Sequence, residues 1–233
     1  MFPINAIRRM QSTPYVTYLL LLVNTLVFIW ELTLPPQALY RAFYTLSVVP
    51  CEVGMIPITE LAQDGLRSMF LHGGWLHLGG NMAFLIIFGG HVEEYYGSKR
   101  FLLFYLAAGL GSAALHALFN AGQCVPVVGA SGAIFGVMAA FMLLYPGTRI
   151  RMLTLFRGIP LGFMKLPALT LVGYYFVVNV LDGIAALNGA ETALSGVAVW
   201  GHVGGFLTGL LLTFVATAFK APPKVDPLAH LDD

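Results

Sequence analysis

The chain has 233 residues; 58% are hydrophobic, only 10% are charged, and the mean hydropathy is +0.80. A soluble domain carries about a quarter charged residues, so water is not the solvent for most of this sequence. The net charge of +1 says nothing about partners, and no basic run points to nucleic acid.

Residues 1–14 read as an N-terminal segment carrying Arg8 and Arg9. Six apolar runs follow: about Tyr15 to Leu34, Trp75 to Val92, Phe101 to Phe119, Val127 to Tyr145, Leu166 to Leu187 and Ala198 to Phe219. Each approaches the roughly 20 residues that cross about 30 Å of hydrocarbon. Sheet-forming alternation is absent, which makes these runs helices and not barrel strands. The first run is too long for a signal peptide and lacks a small-residue cleavage site. The reading is an all-α membrane bundle of six transmembrane helices over residues 15–219, with a flexible, Pro-rich tail over residues 220–233. Cys51 and Cys124 lie outside the runs, form no metal framework and leave their pairing open.

Lys and Arg set the orientation. Ten of the twelve fall in the N-terminal segment, two connections and the tail; only Arg41 and Arg67, both in the long first loop, fall on the other side. Both termini are therefore expected to be cytoplasmic, and the first, third and fifth loops to face outward.

Four polar residues then share one depth. Ser131 lies four residues into the fourth run and His202 four residues into the sixth, each about 6 Å below the outer boundary at about 1.5 Å per residue. Asn81 lies six residues into the second run, with His77 one turn above it on the same face. Polar groups in spans usually face a bundle interior or a wet cavity. Gly132 and Gly136 form a small face beside Ser131; Gly205 and Gly209 form another on the His202 side. Small faces let helices approach closely. If these two meet, Ser131 and His202 come within hydrogen-bond reach, which is the geometry of an activated nucleophile. Phe135, one turn below Ser131, would then lie against the imidazole.

The motif GASG (Gly129 to Gly132), followed by GHVGGFLTG (Gly201 to Gly209), resembles the rhomboid intramembrane serine proteases. HGGWLHLGGNM (His72 to Met82) and EEYYGSKRF (Glu93 to Phe101) are similar to segments of the same family. The resemblance implies a Ser131–His202 dyad, with His77, Asn81 and the Ser131 backbone N–H as oxyanion donors. Gly129, Gly132, Phe135, Gly205 and Gly209 would support that arrangement. Many relatives carry tyrosine at the Phe135 position, so no hydroxyl acts there in this chain. His72 is expected to line the entrance or brace the first loop. The resemblance implies no cofactor and no metal. The expected partners are the bilayer and transmembrane protein substrates, and the expected location is a plasma membrane with the site near its outer face, a bacterial and an organellar membrane both being left open. The fifth span and the loop from Asn188 to Gly196 would act as gate and cap, hinged at Gly189 and Gly196.

The plain alternatives are packing and hydrogen bonding. Small residues enrich helix interfaces, and a histidine in a span is often structural. His91 and His116 belong to no motif and are read so. Glu93 and Arg100 are read as a cytoplasmic polar cluster, and Asp182 as an interfacial acid in preference to a partner of His202. A metalloprotease lacks support: there is no HExxH, and His72 and His77 are five apart. A transporter would more often show paired repeats or broken midplane helices. An inactive homologue would typically lack Ser131 or His202.

Overall fold

The computed structural model describes residues 2–156, 159–189, 194 and 196–220. The tail beyond Lys220, Arg157 and most of the expected cap loop lie outside the described residues. The elements run β1 (Phe2–Ala6), α1 (Tyr15–Thr33), α2 (Pro36–Leu46), α3 (Ile58–Ser68), α4 (Trp75–Tyr96) and α5 (Ser98–Phe119). They continue with α6 (Ser131–Leu144), β2 (Arg149–Phe156), β3 (Ile159–Pro167), α7 (Ala168–Leu187) and α8 (Val199–Phe219).

Each expected apolar run holds one helix. Four of them, α1, α5, α7 and α8, are long and apolar enough to cross a membrane. The other two fall short for different reasons. The 22-residue α4 carries His77, Asn81, His91, Glu93 and Glu94, whereas α6 is apolar but only 14 residues long. Leu26 (55% exposed), Leu103 (67%), Leu181 (60%) and Leu211 (62%) turn outward from the four long helices. Such an apolar surface on a soluble monomer would be an aggregation site; in a bilayer it is the lipid contact. The chain is a multi-pass integral membrane protein.

The all-α reading is corrected at one place. A three-stranded antiparallel sheet, ordered β1-β2-β3, joins the N-terminal segment to the connection between α6 and α7. Its pattern is local: Ile150 and Met152 are buried in the bundle core, while Arg149 and Arg151 alternate with them. That is a strand with one covered face. The fifth helix accordingly starts at Ala168, just after Pro167, and not at Leu166. The first loop is also more ordered than expected, since it holds α2 and α3.

α6 is the central helix, buried almost throughout from Gly132 to Phe141. α8 lies directly on it. A Cβ added at Gly205 would collide with the Gly132 carbonyl, and one at Gly209 with the Gly136 backbone. The two glycine faces therefore meet, as their spacing allowed. On its other side α8 meets α5, where a Cβ at Gly204 would lie 2.6 Å from the Gly111 carbonyl oxygen. At the opposite end from the site, the buried carboxylate of Glu93 accepts the backbone N–H groups of Val16 (2.9 Å) and Thr17 (2.8 Å), the Thr17 hydroxyl (2.8 Å) and the Ser98 hydroxyl (2.6 Å). It thereby satisfies first-turn donors of α1, which Pro14 cannot. Among the described residues Glu93 makes no bond to the expected Arg100; the base at this end is Arg8, which pairs with the neighbouring Glu94 at 2.9 Å and lies over the Tyr145 ring.

Candidate active site

The run that carries Ser131 does not become helical at Val127. Val127 bridges to Val48, and the Gly129 N–H donates to the Ser68 carbonyl at 2.8 Å. Gly129 has φ +125°, a conformation that side chains rarely tolerate, and the chain turns there into α6. Ser131 is therefore the first residue of the helix, where backbone N–H groups lack intrahelical acceptors and the helix dipole favours negative charge. His202 sits in the first turn of α8, its N–H bonded to the Ala198 carbonyl at 3.0 Å.

Ser131 Oγ lies 2.8 Å from His202 Nε2. The Phe135 ring stacks on the imidazole with centroids 4.2 Å apart and planes 6° from parallel. The other ring nitrogen, Nδ1, lies 2.8 Å from Oδ1 of Asn179 in α7, a residue that sequence reasoning missed. Its only visible signal was a lone amide in an apolar run, one turn before Asp182. Asp182 itself is engaged elsewhere, accepting the Leu194 N–H at 3.0 Å. An amide oxygen in its place would keep that acceptor, so Asp182→Asn is expected to retain most turnover. A loss of about a thousandfold or more, approaching that of a replaced triad carboxylate, would overturn this placement.

His77 and Asn81 converge on Gly129. A Cβ there would come within 2.6 Å of His77 Nε2 and 3.7 Å of Asn81 Nδ2. The Gly73 N–H donates to His77 Nδ1 at 3.4 Å, which leaves Nε2 as the protonated nitrogen, facing Gly129. His72 does not line an entrance: it is 2% exposed. It bonds the first loop at Phe70, and it also holds Asn81 of α4, a partner the sequence did not suggest. His72 Nδ1 donates to the Phe70 carbonyl at 3.2 Å, and Nε2 accepts from Asn81 Nδ2 at 3.0 Å. Burial, helped by the neighbouring His77, lowers His72 to about 4, so it stays a neutral acceptor near neutral pH. Its own N–H donates to Glu31 of α1 at 3.0 Å. One Asn81 amide hydrogen is thus taken by His72, and the second is directed by it.

Above these groups opens a cavity of about 1000 Å³ lined by His77, Asn81, Ser131, Phe135 and His202. His116, expected to be only structural, reaches its wall together with Asn120, whose amide donates to the His116 carbonyl at 2.9 Å. Cys51 and Cys124 form a disulfide, which ties the first loop to the segment that leads into Gly129.

Residues 64–219 match the family model described as the Rhomboid domain. Among curated proteins, the mitochondrial RHOMBOID-like protein 6 of Arabidopsis thaliana is 35% identical over 150 residues, 64% of this chain and 42% of that one. The rhomboid protease GluP of Bacillus subtilis is 35% identical over 157 residues, 67% of this chain and 26% of that one. Rhomboid-type serine protease 2 of Emericella nidulans is 39% identical over 75 residues, 32% of this chain and 15% of that one. The chain thus spans less than half the length of these relatives. The matched region contains every group that converges on Ser131, and with more than half of its residues inside that family model the chain belongs to the rhomboid family.

Proposed function

We propose that this protein is an intramembrane serine endopeptidase that cuts peptide bonds in or near the transmembrane segments of other membrane proteins. The observation that carries the reading is the 2.8 Å contact between Ser131 Oγ and His202 Nε2 at the base of a cavity inside a membrane bundle. Packing alone supplies no reason for a hydroxyl to point at an imidazole whose second nitrogen is already satisfied.

The chemistry follows from the atoms. Ser131 Oγ attacks the scissile carbonyl carbon while its proton passes to His202 Nε2. The carbonyl oxygen becomes an oxyanion, held by His77 Nε2–H, the second Asn81 amide hydrogen and the Ser131 N–H. His202 then gives its proton to the departing amine as the C–N bond breaks. Water repeats the sequence on the acyl ester and frees Ser131. The substrate must be locally unwound, because a helix hides its carbonyls in hydrogen bonds. α7 and the loop that follows it serve as gate and cap.

All six apolar runs, α4 and α6 included, span or nearly span the bilayer, with both termini cytoplasmic and the cavity near the outer face of a plasma membrane. Two features support that orientation. Lys and Arg concentrate at the sheet end, and the disulfide lies at the cavity end; disulfides persist where the compartment is oxidising.

The purified protein should be labelled by a fluorophosphonate at Ser131 and should cleave a model transmembrane substrate. Labelling that persists in Ser131→Ala, or cleavage by that variant at the wild-type rate, would remove the protease reading.

A further inference from the structure

α7 brings a buried amide to the rear of the catalytic pair. Asn179 is only 4% exposed, and both ends of its side chain are bonded: Nδ2 donates to the Tyr175 carbonyl at 2.8 Å, and Oδ1 faces His202 Nδ1 at 2.8 Å. We propose that Asn179 is the positioning residue of the catalytic base, holding His202 in the tautomer that leaves Nε2 free to take the Ser131 proton. The inference rests on the protease reading above and adds a residue to it.

The logic is one of donors and acceptors. A backbone carbonyl only accepts, so the Asn179 NH2 group must face Tyr175 and its oxygen must face His202. An amide oxygen also only accepts, so His202 Nδ1 must carry the hydrogen. A neutral imidazole has one N–H, which leaves Nε2 bare. The opposite tautomer would set two lone pairs against each other at Nδ1 and a hydrogen against the serine at Nε2. Phe135 fixes the plane of the ring and Asn179 fixes its rotation within that plane. A neutral amide also suits the site better than an acid, because an ionised carboxylate inside a bundle is expensive to bury.

The placement on α7 makes the base conditional. α7 is seated on α8 by stacking of Phe176 on Phe206 at 4.2 Å, and by Gly183, where a Cβ would come within 2.9 Å of the Trp200 ring. A hydrogen bond tolerates only a few tenths of an ångström of stretch. If α7 swings outward to admit substrate, His202 loses its orienting partner, and the base is restored only when the helix reseats.

The test uses Asn179→Leu, which keeps the volume and removes the acceptor. Turnover of a model transmembrane substrate should fall about a hundredfold, a loss smaller than that of a misassigned triad tautomer. KM and the melting temperature in detergent should change little, and fluorophosphonate labelling should slow in step with kcat. Asn179→Asp, whose protonated carboxyl keeps a donor towards the Tyr175 carbonyl and an acceptor towards His202, should recover most of the rate. Spectra of the protein labelled with 15N-histidine, with His202 assigned from His202→Ala, should show hydrogen on Nδ1 in the wild type and on Nε2 in a large fraction of Asn179→Leu. Asn179→Ala gives the same readouts should the leucine variant not fold. Wild-type turnover in the variants lacking the acceptor, or hydrogen on Nε2 in the wild-type spectrum, would overturn the proposal. The spectrum needs no activity, so it decides the role of Asn179 even if Ser131→Ala shows that the protease reading is wrong.

Discussion

Ser131→Ala, His202→Ala and the double variant are expected to lose cleavage to the same extent, about a millionfold if the pair behaves as such units do elsewhere. The reason is that neither group acts alone. Without the imidazole the hydroxyl keeps its proton and is a poor nucleophile; without the hydroxyl the imidazole has nothing to activate. Each single change therefore removes the whole step, and the second change finds nothing left to remove. Measuring all three on one transmembrane substrate, in one detergent, gives the comparison. Losses that multiply in the double variant would mean that the two residues contribute independently, and the 2.8 Å contact would then be a packing feature. The melting temperature of Ser131→Ala should stay close to wild type; His202→Ala orphans the buried Asn179 oxygen and the face of Phe135 and should melt lower, so its rate is taken per folded protein.

Asn81→Ala is expected to lower kcat about a hundredfold or more, with KM nearly unchanged. The amide is neutral and takes no part in proton transfer. In the proposed role its effect comes through the charge that grows on the substrate oxygen, and that charge exists only in the transition state. His77→Ala should act in the same direction and more mildly, as one donor among three. Fluorophosphonate labelling should slow in both variants without vanishing, because Ser131 and His202 remain paired. A purely structural Asn81 predicts the reverse pattern. Since His72 depends on it for a partner at 3.0 Å, the loss would appear as a lower melting temperature with normal kcat in the folded fraction. Both quantities from one preparation decide the matter.

The sequence made the helices and the convergence of the site legible because both are written in short-range spacing. Gly132 with Gly136, and Gly205 with Gly209, say where two backbones can touch, and Ser131 and His202 stand beside those contacts. What it concealed depends on contacts distant in the chain. Asn179 meets His202 across 23 residues, and one amide in an apolar run carries no periodic signal. Asn81 is aimed by His72, a link visible only once the first loop is folded against α4. The sheet escaped because Arg149 to Met152 alternates over too few residues to outweigh the charges that set orientation. The start of α6 was placed too early because Val125 to Val128 prolong the apolar run, while the turn at Gly129 belongs to its backbone and not to its hydropathy.

The shortness of α6 has a consequence for how the protein is made. Its 14 residues span about 21 Å, some 9 Å less than the roughly 30 Å hydrocarbon thickness that the proposed topology has it cross. On the proposed topology the missing length lies at the cavity end, so that the first N–H groups of the helix and Ser131 would end beneath the membrane surface and not at it. A segment this short is a weak candidate for entering lipid by itself during synthesis. On that topology α6 would be held in the membrane by its neighbours, chiefly α8, whose glycines lie against it and which is synthesised later. Insertion of α6 and assembly of the proposed site would then be one event, and a chain that stalls before α8 would carry Ser131 on a segment not yet fixed in the bilayer.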